Sequence, residues 1–460
     1  MYKKQKIHFV GIGGVGMSGI AEVLLNLGYP VSGSDLKQSK YTQRLKKLGA
    51  RIYIGHRRSN LKEVSVVVMS TAVKSDNPEL LEAHARQVPV IRRAQMLAQL
   101  MRFSKYGIAV AGTHGKTTTT SLIASMLYHG GLDPTVIIGG KVNSFRSNAR
   151  LGRGEFMVAE SDESDGSFLI LDPAIAIITN IDREHMDYYK NFEGVKKAYL
   201  EFAKKVPFYG VVICCVDHPV VSELISQLDE RLITYGTVAK ADLMAKNITF
   251  HGALTTYDLY THGVFETEVT LNLTGEHNVA NSLAAIAIAK EVGITQKKWL
   301  DALKSFQGIE RRCQVLLQNS DITVIDDYGH HPQEIKATIA AIRGSYAGRL
   351  VVFFQPHRYT RTKDLFSQFK SSFDGANVLV LTDIYAASEK PIPGVNAKKL
   401  VKAIHQDKKN VYYFPKNKKI SDEVIKLLRK GDILLTLGAG DITKYGKECA
   451  QKLKKMELQT

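Results

Sequence analysis

The ten residues Ala111-Gly-Thr-His-Gly-Lys-Thr-Thr-Thr-Thr120 constrain this chain more than any other segment. The apolar run Ile108, Ala109 and Val110 precedes them and reads as a strand, and Leu122, Ile123, Met126 and Leu127 follow at the spacing of one helix face. A glycine-rich turn from a strand into a helix offers unpaired backbone N–H groups and the positive end of a dipole, which suits phosphate. Gly112, Thr113, His114, Gly115, Lys116, Thr117 and Thr118 are therefore assigned to a nucleotide. Lys116 supplies a point charge for the terminal phosphates and Thr117 a hydroxyl for Mg²⁺. The common P-loop has four residues between its glycines, whereas Gly112 and Gly115 are separated by two. A nucleoside-triphosphate site on an α/β scaffold follows.

The rest of the chain keeps that alternation. Three αβ blocks are expected, at 1–105, 106–309 and 310–460, and 460 residues is too long for one core. The first block has strands Ile7–Val10, Val31–Asp35, Arg51–Ile54 and Val64–Ser70. The second carries the phosphate loop, then strands Phe156–Ala159, Ala174–Asn180 and Gly210–Val216, and a helix from Val279 to Glu291 that Gly293 stops. Alternating Thr, Tyr, Leu, Phe and Val between Ala239 and Leu273, around Gly252 and Gly263, predict a small β-sheet inside it. The third has strands Ile322–Asp326, Leu350–Phe354, Val378–Leu381, Val411–Phe414 and Ile433–Leu437. Strands alternating with helices imply parallel sheets covered on both faces.

Composition removes several function classes. No apolar run approaches the ~20 residues that span a bilayer, and the glycines after His8 break any signal-peptide pattern. Cys214 and Cys215 are adjacent in an apolar run, a poor arrangement for metal or disulfide, so a reducing cytoplasm fits. The net charge of +17 invites nucleic acid, yet the lysines are scattered on helix faces and no aromatic–basic alternation occurs. A solvated basic surface that favours anionic small substrates is the better reading, in a monomer or a homodimer.

A second glycine motif, Gly11-Ile-Gly13-Gly14-Val-Gly16, follows the first strand, and Asp35 ends the next. This matches a dinucleotide-binding fingerprint. The geometry demands only a diphosphate at a helix N-terminus and a nearby sugar, which a UDP-sugar also satisfies. A nicotinamide oxidoreductase has no use for a loop with Lys116 and Thr117, so a UDP-sugar is favoured. Ser70 and Thr71, at the end of the fourth strand, complete that set.

Acidic and histidine motifs follow other strands. Glu160-Ser-Asp162-Glu163-Ser-Asp165 would crowd the phosphate site, where Mg²⁺ would offset the mutual repulsion of the carboxylates. In Asn180-Ile-Asp182-Arg-Glu184-His185-Met-Asp187, His185 suits a metal ligand, an orienting group or a helix cap alike. The third block has Asp326-Asp327-Tyr328-Gly-His330-His331 and Gln355-Pro-His357-Arg358-Tyr-Thr-Arg361. Arg358 and Arg361 near a strand end make a carboxylate clamp, and Tyr328 with the histidines suits a small polar substrate.

With these residues assembled, the chain resembles the Mur ligase family over nearly its whole length. The motifs are GIGGVGMSGIA, AGTHGKTTTT, ESDESD, NIDREHMD, GEHNVANSLAA, GIERR, DDYGHHPQEI and FQPHRYTR, in that order. The resemblance implies three domains: a Rossmann-like UDP-sugar domain, a central ATPase domain and a Rossmann-like C-terminal amino-acid domain. It implies ATP- and Mg²⁺-dependent ligation of L-alanine to the carboxylate of UDP-N-acetylmuramate through an acyl phosphate, the first peptide-forming step of peptidoglycan precursor synthesis. Ligases of cell-wall recycling, which take a tripeptide, share most of these motifs; the first loop favours alanine as acceptor. Carried over residue by residue, Lys116 holds the β- and γ-phosphates, and Thr117, Glu160 and His185 take magnesium. His277 and Asn278 meet adenine, and Arg311 joins the ATP set at a hinge. Tyr328, Arg358 and Arg361 match the alanine positions, with Arg358 also catalytic and His330 the candidate base. Three departures stand out. Ser161 replaces a usual alanine, the run from Asn143 to Asn148 is bulkier than its counterparts, and Phe192–Lys205 offers no lysine for the carbamylated position of other members.

Overall fold

The computed structural model describes residues 4–142, 147–387, 389–405 and 410–457. The chain divides into two compact units. One comprises Met1–Lys246, Asp258–Val269 and Ala280–Gln307, the other Asn247–Tyr257, Thr270–Val279 and Gly308–Thr460.

In the first unit, Ile7–Val10 is buried at every position because it is the middle of a five-stranded sheet. The spatial order is Arg51–Ile54, Val31–Asp35, Ile7–Val10, Val66–Met69 and Val90–Arg92, all parallel. Strands are added outward from the centre in both directions, so a crevice opens beyond the carboxyl ends, where Gly11 begins its loop. Val90–Arg92 was not expected; three residues carry no readable period. The helix Val15–Asn26 buries Ile20, Ala21, Val23 and Leu24, and Gly28, at φ +80°, follows its end. Beneath one face a polar cluster lies beside the apolar group Val10, Leu61, Val67, Leu80 and Ala83. Glu79, fully buried, accepts from Ser34 and Asn60 at 2.5 Å each and from His56 Nδ1 at 2.9 Å, with His8 Nε2 3.5 Å away.

A ten-stranded sheet follows, built around Tyr106–Ala111 with Ile175–Ile178 on one side and Phe156–Glu160 on the other. Thr135–Val142 and then Ser147–Arg150 extend it past Phe156–Glu160. Beyond Ile175–Ile178 come Val211–Cys215, Leu232–Gly236, Leu243–His251, Leu254–Thr261 and Val264–Leu271. The β-rich segment around Gly252 and Gly263 thus continues the parallel sheet from its edge, through the pairing of Tyr235 with Leu243. The helix Lys116–Gly130 buries an unbroken run from Thr118 to Leu127 between sheet and neighbours. Cys214 and Cys215 are free and buried, and burial pushes the Cys215 thiol up to about 11, out of the reactive range.

The second unit holds a six-stranded sheet ordered Gln314–Gln318, Ile322–Asp327, Asp432–Leu437, Leu350–Phe354, Val378–Leu381 and Val411–Tyr413. The first pair is antiparallel and the others parallel. Apolar layers cover both faces, one with Ile335, Phe354, Phe369 and Leu400, the other with Phe353, Ile420, Ile442 and Cys449. Parallel strands deliver the segments after Asp327, Phe354, Leu381 and Leu437 to one edge.

Candidate functional site

The phosphate loop is shaped by its glycines. Gly115 precedes the helix at φ +84°, and Gly112, at φ +139°, has no room for a Cβ because Thr179 Oγ1 fills that space. Asn180 pins the loop: its carbonyl accepts from Thr113 N at 3.1 Å and its side-chain oxygen from His114 N at 2.8 Å. Lys116 Nζ folds back onto the carbonyls of Gly112 and Thr113 and pairs with Glu163 at 2.8 Å. Burial pushes the Glu163 carboxyl above its ordinary range, and Lys116 opposes that rise. Thr117 is half-buried in the first helical turn and Thr118 is buried.

The acidic motif reaches the same edge. Glu160 ends its strand level with Val110, and a Cβ on the neighbouring Gly139 would collide with the Glu160 carboxylate. His185, left-handed at φ +58°, sets Nε2 3.7 Å from Glu163 and 3.6 Å from Glu184. Asp182 stands between His114 and His218, each 3.4 Å away, and their hydrogen bonds hold its carboxyl far below the usual range. The structure therefore brings Lys116 and His185 to one carboxylate, Glu163, which the sequence had not singled out.

The first glycine loop lies in the same unit. Gly11 is at φ +83°. Gly13 N donates to Asp35 Oδ2 and Leu36 N to Asp35 Oδ1, both at 2.8 Å, so Asp35 shapes the loop as well as ending its strand. Gly14 N turns back to the Gly11 carbonyl, and Gly16 is the second residue of the helix Val15–Asn26, with Arg93 packed against it. Ser70 N bonds Val10 O, and Thr71 is exposed. Residues 143–146 of the bulky run lie outside the described residues. Asn148 is buried, and its amide donates to Val15 O at 2.6 Å.

The second unit gathers the remaining residues. Tyr328, His330, His357 and Tyr385 form a chain of rings, with centroids 5.3 Å, 5.4 Å and 5.6 Å apart in turn. His330 Nδ1 lies 3.1 Å from the Tyr328 carbonyl, which can only accept, so Nδ1 carries the proton and Nε2 the lone pair. His357 is the reverse: Arg361 donates to its Nδ1 at 3.1 Å, leaving the proton on Nε2. Burial lowers both imidazoles, His357 to about 3 with help from His330, Arg361 and Arg358. Arg358 is exposed at φ +69°, its N–H fixed by the Tyr385 carbonyl at 2.8 Å. Arg311 donates to the Gly438 and Ala439 carbonyls and lies over the Tyr328 ring. His277 is exposed, and the Asn278 amide donates to Thr274 O at 2.7 Å.

Family models match in three consecutive stretches: "Mur ligase family, catalytic domain" at 6–105, "Mur ligase middle domain" at 110–289 and "Mur ligase, glutamate ligase domain" at 311–440. The chain belongs to the Mur ligase family. Among curated Mur ligases, it is 52% identical to UDP-N-acetylmuramate–L-alanine ligase of Geotalea daltonii over 456 residues, 99% of each chain. It is also 52% identical to the protein of that name from Syntrophus aciditrophicus, covering 99% of this chain and 95% of the other. The crystal structure of UDP-N-acetylmuramate-alanine ligase from Thermotoga maritima superposes with a TM-score of 0.84 at 30% identity, over 98% and 100% of the two chains. A murein peptide ligase from Psychrobacter arcticus, at 22% identity and TM-score 0.70 over 98% of each chain, shares the fold.

A Mur ligase uses ATP, and the donor chemistry here suits a triphosphate and a hard divalent cation. A Cβ at Gly112 would collide with Thr179 Oγ1 and one at Gly115 with Asn281 Oδ1, so only glycines let the loop close onto the start of the helix, whose free backbone N–H groups suit a phosphate. Glu160, Glu163 and the Thr117 hydroxyl supply the oxygen donors that a hard cation prefers.

Proposed function

We propose that this Mur ligase joins L-alanine to the carboxylate of UDP-N-acetylmuramate in the cytoplasm, with ATP hydrolysed to ADP and phosphate, as the first peptide-forming step of peptidoglycan precursor synthesis. The observation that carries the reading is the full-length match to alanine ligases at 52% identity together with the Lys116–Glu163 phosphate loop. We assign residues 1–105 to the UDP-sugar, 106–309 to ATP and 310–460 to the amino acid.

Gly11, Gly13, Gly14, Gly16, Asp35, Ser70 and Thr71 hold the sugar nucleotide. Gly112 to Thr118 hold the triphosphate, and His277, Asn278 and Arg311 are assigned to the same nucleotide. Thr117, Glu160 and His185 would hold Mg²⁺, which when bound screens the phosphate charge. The muramoyl carboxylate attacks the γ-phosphorus and ADP leaves. Lys116 exchanges Glu163 for the transferring group, since such a transfer depends on positioning and electrostatics. Arg358 and Arg361 clamp the alanine carboxylate beside Tyr328. His330 Nε2, unprotonated and facing away from the Tyr328 carbonyl, takes the ammonium proton, because only the free amine is a nucleophile. The amine adds to the acyl carbon, and phosphate departs from the tetrahedral intermediate.

Oxygen-18 in the muramoyl carboxylate tests the route: one labelled oxygen must appear in the released phosphate. Label that stays wholly in the peptide would rule out the acyl phosphate. Supplying alanine, serine, glycine and a tripeptide as acceptors separates this reading from a recycling ligase, which would prefer the tripeptide.

A further inference from the structure

One side of the sheet in the second unit is lined with lysine. Val411–Tyr413 is an edge strand, paired with Val378–Leu381 alone, and it carries no charge of its own. The helix Ala397–His405 precedes it and buries Leu400 and Ile404 in one apolar layer. The helix Ile420–Ile425 follows it and buries Ile420 in the other layer. The two helices therefore flank the edge strand from opposite faces of the sheet. Among the described side chains of the first helix, those exposed are Lys398, Lys399 and Lys402. Lys416, Lys418 and Lys419, all exposed, lead into the second helix. The described residues of 396–421 hold these six lysines and no acid. Lys416 pairs with Asp441 at 2.6 Å, whereas the other five make no ion pair among the described residues. Neighbouring acids are engaged elsewhere: Asp383 accepts from the Tyr413 hydroxyl and from Lys416 N, and Asp422 pairs with Lys452 at 2.7 Å. Glu423 is half-buried on the second helix. Tyr412, 38% exposed, lies on the strand between the two lysine groups.

Lysines on an edge strand guard it against pairing with another edge. Here the strand has none, and the charges stand on both of its flanks instead. We propose that this lysine-lined edge is a docking surface for an anionic lipid bilayer, with the five unpaired ammonium groups among the headgroups and Tyr412 at the interface. A cluster of unpaired basic residues is drawn to the negative potential of such a bilayer, and tyrosine suits its headgroup level. Long apolar stems let the ammonium groups of two helices reach one plane. Nucleic acid is the other extended polyanion, but its readers rely on arginine, whose fork meets phosphate oxygens in pairs, and none of the six residues is arginine. The contact is peripheral, since no helix among the described residues is long and apolar enough to cross a membrane. It also leaves the chemistry accessible. Tyr328, His330 and Arg358 follow the strands Ile322–Asp327 and Leu350–Phe354, whereas the lysines border the last strand of the sheet. The inference is independent of the ligation assigned above.

The test is co-sedimentation of the full chain with vesicles of phosphatidylcholine alone, or of phosphatidylcholine with about 30% phosphatidylglycerol. Each unpaired lysine near an anionic surface corresponds to about fivefold in partitioning. Wild type is therefore expected to prefer the anionic vesicles by at least about a hundredfold at low salt, and to lose most of that preference near about 0.5 M salt. Replacing Lys398, Lys399, Lys402, Lys418 and Lys419 with glutamine should lower binding by at least about thirtyfold. A control variant removes the same charge from exposed lysines of the first unit, Lys46, Lys47, Lys62, Lys240 and Lys297, and should change binding by less than about threefold. Melting curves and turnover check that both variants fold. Equal binding to the two kinds of vesicle, or an equal loss in the two variants, overturns the docking surface. Binding to polynucleotide that is tighter than to the anionic vesicles, and that the patch variant loses, assigns the surface to nucleic acid and overturns the lipid. A patch variant that self-associates yet still sediments with the vesicles shows that the lysines only guard the edge strand, and overturns it too.

Discussion

Replacing Lys116 with alanine should separate what this residue does for the fold from what it does for catalysis. Lys116 is 20% exposed and Glu163 5% exposed, with 2.8 Å between their charged atoms. Removing one partner of a buried pair costs about 3–5 kcal/mol, because the other charge is left without compensation. Lysine's partial exposure and the readiness of the Gly112 and Thr113 carbonyls to bind water reduce this to about 2–3 kcal/mol. For the first unit, of roughly 290 residues, that is a fall of about 3–6 °C in melting temperature. The loss must also depend on pH. Burial already holds the Glu163 carboxyl above its ordinary range, and Lys116 restrains the rise. A carboxyl raised in the folded state stabilises that state while protonated, and the benefit disappears as pH climbs through the raised value. The variant should therefore melt closer to wild type at about pH 5 than at about pH 8. Adding Glu163→Gln removes the stranded charge, and most of the lost stability should return. Turnover should not return: both variants lack the cation that meets the transferring phosphoryl group, a loss of about a thousandfold. Differential scanning calorimetry without nucleotide, beside phosphate release with all three substrates, measures both. A pH-independent deficit, or a double variant no more stable than Lys116→Ala, would refute the electrostatic account. Near-normal turnover in either would refute the phosphate assignment.

Glu79→Gln should cost the protein about 3 kcal/mol at neutral pH, at 1.36 kcal/mol per unit, because its carboxyl lies at about 2 against 4.5 when free. Burial alone would raise it, and the bonds from His8, Ser34 and Asn60 outweigh burial. The stabilisation is complete above the free value and is lost as pH falls toward the folded one, so urea melts of wild type and variant should converge near pH 2–3. His330→Ala should lower kcat/KM by about 10²–10⁴-fold. In the wild type, the acid limb of the pH profile should lie below the ordinary histidine value of 6.5, since burial lowers His330. His357→Ala should leave that limb in place, because its Nδ1 is occupied by Arg361. Arg358→Gly should raise the melting temperature slightly, as glycine removes about 1 kcal/mol of strain at φ +69°, while the KM for alanine rises steeply. A destabilised glycine variant would show that the guanidinium, not the backbone, governs this turn.

The phosphate loop was legible because its demands are local. A strand, two glycines and a helix start occur within a dozen residues, and each glycine has a positive φ in the folded chain. The same holds for Gly11, at φ +83°, and for Gly293, whose φ of +73° follows the helix Glu276–Glu291 as expected of a stop. The missing parts are those assembled from distant segments. Arg93 and Asp162 are 69 positions apart, and nothing near either residue announces the other. His8, Ser34, His56, Asn60 and Glu79 come from five separate segments, and a glutamate near a helix start reads as a surface charge until the fold buries it. The acidic motif shows the boundary most clearly. Its composition announced a crowd of carboxylates beside phosphate, but not which one meets Lys116. That is Glu163, because the chain leaves the strand at Glu160 and turns back through the bonds from Ser164 N to Asp162 and from Gly166 N to Glu163 O. The turn puts successive acids to different uses: Glu160 faces Gly139, Asp162 holds Arg93, and Glu163 holds Lys116 and approaches His185. A sequence supplies the charges of such a segment; only the turn divides them among partners, one acid for the arginine packed on Gly16 and the next for Lys116.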